Sequence, residues 1–432
     1  MVEKKRQQRP SNKKRGTKQR RKKMSYRKKV VAFQIGAITL AIFLLLMVGA
    51  VILTKVFVGE ANNSQTAGAD VTGDQVGADD DNANLTDLDT AGTDSAKGSV
   101  DTTGEGQASA EGNGEDAQEA QSVQPVEEVK ITVSMVGDCT IGTDEQFDKS
   151  SNFDAFYIVK KDPGYFFQGV RDVFAADDLT VINMEGTLTE SDTRQDKTYA
   201  FKGDPKYTEI LTAGNVDAAN LANNHSKDYG EQSYTDTIQY LESAGIATFG
   251  YDRTSVLDIK GIKVGLVGIY VLADGMERQQ QLIDNIQSVK NQGAQVVIVS
   301  FHWGTEKATY PDDIQKTLAH TAVDNGADLV VGHHPHVLQG IEEYNGKNIV
   351  YSLGNFCFGG NRNPLDKDTM IFQQTFTFAN GELVQDNVKN IIPCSLSSVK
   401  EYNDYQPTIL EGSESERVLQ KIQELSSGLS GN

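Results

Sequence analysis

The chain predicts an α/β fold, and three observations carry that prediction. From Val129 onward, short β-branched or apolar runs alternate with amphipathic stretches. Several of those stretches end in glycine (Gly214, Gly245, Gly293, Gly326), a helix stop signal. The polar residues able to do chemistry follow the apolar runs directly, where ligands bind in open α/β sheets. In order, strands are expected at residues 131–136, 179–183, 216–221, 263–269, 296–300, 329–331, 349–352 and 370–378. Helices are expected at 165–176, 205–213, 231–244, 276–291 and 311–325. Towards the C-terminus the helices give out. There, IEEYNGKNIVYSLG reads as two strands around an Asn345-Gly346 turn, and DIKGIKVGLVGI reads as a second hairpin.

The flanks differ sharply in composition. Residues 1–29 hold fifteen Lys and Arg against one acid, Glu3. Val30 to Leu53 then runs 24 residues without a charge. As a helix this run reaches about 36 Å, enough for a hydrocarbon core of roughly 30 Å. The expectation is a single-pass signal anchor over 30–54, with the basic tail cytoplasmic and the remainder extracellular. Residues 55–128 read as an acidic, disordered linker. From 59 to 128 there are seventeen Asp and Glu, one lysine (Lys97) and no aromatic residue, too little apolar surface to offset chain entropy. The folded domain is expected over 129–395, followed by a polar tail over 396–432.

Residues 129–432 carry 24 basic and 42 acidic side chains, a net of −18. That balance argues against nucleic acid as a partner. Three cysteines (Cys139, Cys357, Cys394) are too few and too odd in number for a disulfide framework, although one pair outside the cell stays open.

Five of the six histidines fall in NLANNH (His225), VIVSFHWGTE (His302) and LVVGHHPHVLQG (His333, His334, His336), each at the end of an apolar run. Asp138 follows the first strand, and Asn183 and Glu185 follow the second. The candidate metal ligands are Asp138, Glu185, Asn224, His302, His334 and His336. Mixed nitrogen and oxygen donors suit one or two divalent ions of Mn, Fe or Zn, whereas an all-oxygen set would suggest Ca or Mg. Across the His334-Pro-His336 step, an extended chain would point both imidazoles one way and His333 the other. Asp138 and His225 are the catalytic candidates, with His225 placed as a general acid or transition-state stabiliser. A lone Asp after a strand is ordinarily a turn or helix cap, so the weight rests on the set.

The segments MVGDCTIG, INMEGTLT, YAFKGDP, NLANNHSKDYG, SFHWGTE, GHHPHVLQG and YSLGNFCFG together resemble the CapA family of poly-γ-glutamate capsule biosynthesis proteins, over roughly residues 130–360. The resemblance implies a metallophosphoesterase-like sandwich of two β-sheets flanked by helices, and a place in making or anchoring an anionic capsule. Against the wider metallophosphoesterase pattern, Asp-x-His is replaced here by Asp138-Cys139-Thr140, so one imidazole is missing. Asn183-Met184-Glu185 stands in for the usual second-motif aspartate, and Asn223-Asn224-His225 for Gly-Asn-His. Lys202, in YAFKGDP, is the candidate substrate contact. At −18 the domain repels a polyanion at long range, so contact with one should be local, within about 8 Å at physiological salt. The expected partners are the membrane, an anionic polymer such as poly-γ-glutamate and membrane polymer-synthesis subunits. The expected activity is metal-dependent hydrolysis. A non-catalytic assembly or export partner of a synthetase is one alternative, and a cell-surface metallophosphatase another.

Overall fold

A computed structural model of the chain describes residues 127–429. The expected basic tail, membrane span and nearly all of the linker lie outside the described residues. No helix within those residues is long and apolar enough to cross a membrane.

β1 (Glu128–Thr140) leads into β2 (Thr143–Asp144), α1 (Phe153–Lys160), α2 (Arg171–Phe174), β3 (Leu179–Met184), β4 (Thr187–Leu188), β5 (Phe201–Gly203), α3 (Thr208–Ala213), β6 (Ala218–Asn220) and α4 (Glu231–Ser243). Next come β7 (Ala247–Phe249), β8 (Ser255–Ile259), β9 (Ile262–Tyr270), α5 (Gln279–Asn291), β10 (Val296–His302), α6 (Asp313–Asp324) and β11 (Leu329–His333). β12 (Ile341–Tyr344), β13 (Lys347–Val350), β14 (Asn355–Phe358), β15 (Asp368–Ala379), β16 (Glu382–Ser395), β17 (Thr408–Ile409) and α7 (Gly412–Ser426) complete it.

The strands form a mixed α/β architecture of two large sheets and a small one. One large sheet runs β17-β16-β15-β1-β3-β6-β7, with β14 also paired to β1, and the other runs β12-β13-β11-β10-β9-β8. β2, β5 and β4 make the third. Strand periodicity of two sorts the core into layers. Ile131, Val133 and Met135 of β1 share one buried cluster with Val264 and Leu266 of β9 and Ile298 of β10, so the large sheets pack face to face. Their alternate residues turn outward. Ile182 and Met184 of β3 meet Ile210 and Leu211 of α3, while Val267, Val299 and Val330 meet Leu282 and Ile286 of α5 and Leu318 of α6. Gly268 marks a close approach of the two sheets: a Cβ there would lie 2.1 Å from Asn220 Oδ1.

Both expected hairpins form, and Asn345 in the β12–β13 turn takes the left-handed conformation at φ 50°. The expected strands and helices are present with shifted ends, except over 165–176. That stretch is a 3₁₀ turn (Pro163–Phe167) and the four-residue α2, separated by Gly169, whose lack of a Cβ weakens a helix at that point. α1 lay outside the expected helices. Its signal is the Asn152 cap, whose side chain accepts a hydrogen bond from the Ala155 N–H. α6 begins with a full capping box between Asp312 and Gln315.

The expected polar tail over 396–432 needs correction. β17 pairs with β16, and α7 buries Val418, Ile422 and Leu425 in the core between the sheets. Polar residues outnumber apolar ones here, but the apolar ones recur at helical spacing and make one buried stripe. The three cysteines are buried and unpaired.

Candidate metal centre

Four strands end at one edge of the paired sheets and deliver the chemistry there. β1 pairs in parallel with β3 and β14, and its register shifts around Asp138, a bulge that re-aims the side chain. β10 and β11 are parallel neighbours with His302 opposite His333, so both imidazoles leave the same face. The β11 strand stops at His333 because the backbone then turns through positive φ, 95° at His334 and 59° at His336. Such conformations cost on the order of 1–3 kcal/mol each in non-glycine residues and gather at functional sites.

Glu185 is the centre of the cluster. It is fully buried, and neither carboxylate oxygen has a hydrogen-bond partner among the described residues. Three imidazole nitrogens stand at one distance from its Oε1: Nε2 of His225, His302 and His336, each at 3.8 Å. That is too long for hydrogen bonding, and it leaves Glu185 facing imidazoles on more than one side. Two groups meet the geometry of an ion site, Glu185–His302–His334 and Asp138–Glu185–His336, with Glu185 common to both. The side chains present therefore fit one or two metal ions. Asn224 Oδ1 lies 2.7 Å from His302 Nε2 and belongs to the same cluster.

Asp138 is held from several sides. Asn183 Nδ2 donates to its Oδ1 at 2.8 Å, the His334 N–H donates to Oδ2 at 3.2 Å, and His336 Nδ1 lies 3.2 Å from Oδ2. Burial alone would raise this carboxyl, but the hydrogen bond and charge of His336 hold it well below the ordinary range. Burial opposes the His336 imidazolium in turn, yet the charge of Glu185 and the Asp138 hydrogen bond carry it up to about 10. Burial pushes Glu185 up to about 8. His225 and His302 are lowered by burial, and His333 and His334 are lowered to about 4 by the same cause. Four imidazoles are thus held neutral, the protonation state that binds metal.

Around His225 the structure adds groups that the sequence did not single out. Its Nδ1 lies 2.6 Å from Asp228 Oδ2, and Asp228 also accepts the Phe201 N–H at 2.6 Å and Lys197 Nζ at 2.7 Å. The spacing of His225 and Asp228 across one tight turn was the available signal. Asn355, in the YSLGNFCFG segment, places Oδ1 2.9 Å from His336 Nδ1. His333 does not point away. Its Nδ1 faces Asp138 Oδ1 at 3.6 Å, because the chain is no longer extended beyond it. Lys202 is not brought to the cluster: its Nζ donates to Ser191 O at 2.9 Å and Asp192 at 3.0 Å and sits over the Tyr229 ring. A cavity of about 870 Å³ opens beside His225 and His336, with Tyr199, Phe201, Lys307 and Arg362 among its walls.

The chain is 31% identical over 266 residues to the PGA biosynthesis protein CapA of Bacillus subtilis (strain 168), covering 56% of this chain and 66% of that one. It is 29% identical to the capsule biosynthesis protein CapA of Bacillus anthracis, over 56% and 64% of the two chains. With a probable polyglutamine synthesis accessory protein of Mycobacterium tuberculosis it shares 30% identity, over 48% and 64%. The chain thus spans just under two thirds of the length of the curated relatives it matches. Among solved structures, a hypothetical protein from Thermus thermophilus superposes with a TM-score of 0.37 at 16% identity, over 61% of this chain and 99% of that one. A sulfate thiohydrolase of the same organism, in complex with glycerol, gives 0.36 at 11% identity, over 68% and 60%. The family model described as bacterial capsule synthesis protein PGA_cap matches residues 132–360, more than half of the chain, and the protein belongs to that family.

Proposed function

We propose that the protein handles poly-γ-glutamate or a similar anionic polymer at the cell surface, through a metal-dependent hydrolase site of metallophosphoesterase type. The observation that carries the site is Glu185, a buried carboxylate without hydrogen bonds ringed by three imidazole nitrogens at 3.8 Å. Glu185, His302, His334 and Asn224 would hold one divalent ion, with Asp138, His336 and Glu185 around another. Mn, Fe or Zn bound there would supply Lewis-acid polarisation of the bond to be cleaved. His225, oriented by Asp228, holds or accepts a proton at Nε2 on the cavity side. The names of the relatives support the polymer role: one is a PGA biosynthesis protein and another a probable polyglutamine synthesis accessory protein. The charge-free run over 30–53, preceded by fifteen basic residues, supports a single-pass anchor with the domain outside the cell.

A second reading, a non-catalytic assembly partner of a membrane synthetase, is favoured by one feature. Both oxygens of Asp138 are already engaged, by Asn183, His336 and the His334 backbone. One experiment separates the two. The full chain, purified in detergent, is analysed for bound metal and assayed on phosphodiesters and on poly-γ-glutamate. Metal with turnover that is lost in His225→Ala supports the hydrolase, metal without turnover supports the assembly role, and a chain that retains no metal overturns the site itself.

A further inference from the structure

His333 is a buried group that the two clusters above leave unused. Its side chain is 1% exposed, and neither ring nitrogen has a hydrogen-bond partner among the described residues. A neutral imidazole always carries one N–H and one lone pair, so both are desolvated here without compensation. Parallel pairing with His302 aims the ring at the site, and Nδ1 faces Asp138 Oδ1 at 3.6 Å. That separation is beyond a hydrogen bond, yet two donors each about 2.1 Å from one ion stand roughly 3–4 Å apart. Meanwhile position 140, which would supply an imidazole in an Asp-x-His sequence, holds a threonine whose buried hydroxyl oxygen is also without a partner.

We propose that His333 provides the imidazole that position 140 lacks, so that Asp138, His333, His336 and the shared Glu185 form a cation position distinct from Glu185–His302–His334. The proposal rests on the metal reading above and names the chain's own substitute for a lost ligand. Two imidazoles with two carboxylates select borderline first-row cations such as Zn, Fe or Mn over Ca or Mg. The ligand has moved in sequence from the end of β1 to the end of β11. It approaches the same Asp138 from the facing sheet.

The test is metal stoichiometry and affinity in the full chain, by zinc titration after chelation and by the absorption of the cobalt form. Wild type is expected to bind two ions. His333→Ala and the larger His333→Gln should both lose one ion or weaken it at least about tenfold, with the other unchanged. His302→Ala should spare the ion that His333→Ala removes. If both His333 variants keep both ions at wild-type affinity, the assignment is overturned. If wild type binds a single ion that only His302→Ala removes, the assignment falls while the metal reading stands. If no variant and no wild-type protein binds metal, both fall together.

Discussion

His225 turns Nδ1 to Asp228 Oδ2 at 2.6 Å and presents Nε2 to Glu185 at 3.8 Å. A carboxylate only accepts, so Nδ1 donates, and in the neutral ring the lone pair rests on Nε2. Asp228 therefore sets which nitrogen of His225 meets the crevice. It also ties the 189–200 loop and the start of β5 to the site, through Lys197 and the Phe201 N–H respectively.

Asp228→Ala should cost about 3 kcal/mol, because it strands the buried His225 Nδ1–H and the buried Phe201 N–H, which share one carboxylate oxygen. Asp228→Asn should cost less, since one oxygen remains to accept. Urea unfolding of both variants checks this, and equal midpoints for Asp228→Ala and wild type would contradict it.

Glu185→Gln should act with opposite signs under two conditions. In chelator it removes a carboxyl that burial raises to about 8 and that no hydrogen bond satisfies, so the midpoint of thermal unfolding rises at pH above that value. With saturating zinc or manganese, wild type gains the stabilisation of binding and the variant forfeits most of it. Calorimetry in both buffers reads the reversal. A shift of the same sign in both would count against Glu185 as the shared ligand.

Asp177 offers a pH test away from the site. Burial raises its carboxyl to about 6, against hydrogen bonds from Ser134 and Thr180 that favour the charged form. A carboxyl raised on folding binds its proton more tightly in the native state. Its penalty is thus absent below the unfolded value near 3.8 and fully present above about 6. Asp177→Asn should therefore gain thermal stability relative to wild type at pH ~7.5 and lose that advantage by pH ~4. An advantage independent of pH would refute the assignment.

α7 is tested by Ile422→Ala. The side chain is 3% exposed within the cluster between the sheets, so its loss should cost about 2–4 kcal/mol. Truncation after residue 395 should destabilise the domain further. If it left the unfolding midpoint unchanged, the helix would be a dispensable appendage.

Much of the fold was legible where local chemistry and tertiary packing agree. The Asn345-Gly346 turn specified its hairpin, and the β-branched run at 296–300 specified a central strand. Asn380-Gly381 carries the same signal for β15–β16, but the polar, exposed β16 hides it from hydrophobic periodicity. The metal candidates Asp138, Glu185, Asn224, His302, His334 and His336 were readable because each follows an apolar run. Asp228, Lys197 and Asn355 were not, because their roles come from hydrogen bonds across the fold. His333 was misplaced because alternation applies only while the chain stays extended. Lys202 was singled out from its motif, but its orientation depends on Ser191, Asp192 and Tyr229, which no local pattern connects to it.

The donors around Glu185 come from opposite sides of one interface: Asp138 and Glu185 from the β1–β3 sheet, His302, His334 and His336 from the β10–β11 sheet. A cation seated among them is a rivet through the two layers. Its removal would strike first at the docking of one sheet on the other, leaving each sheet's own ladder intact. Protease resistance of the sheet interface would then become a gauge of metal occupancy, readable without any substrate.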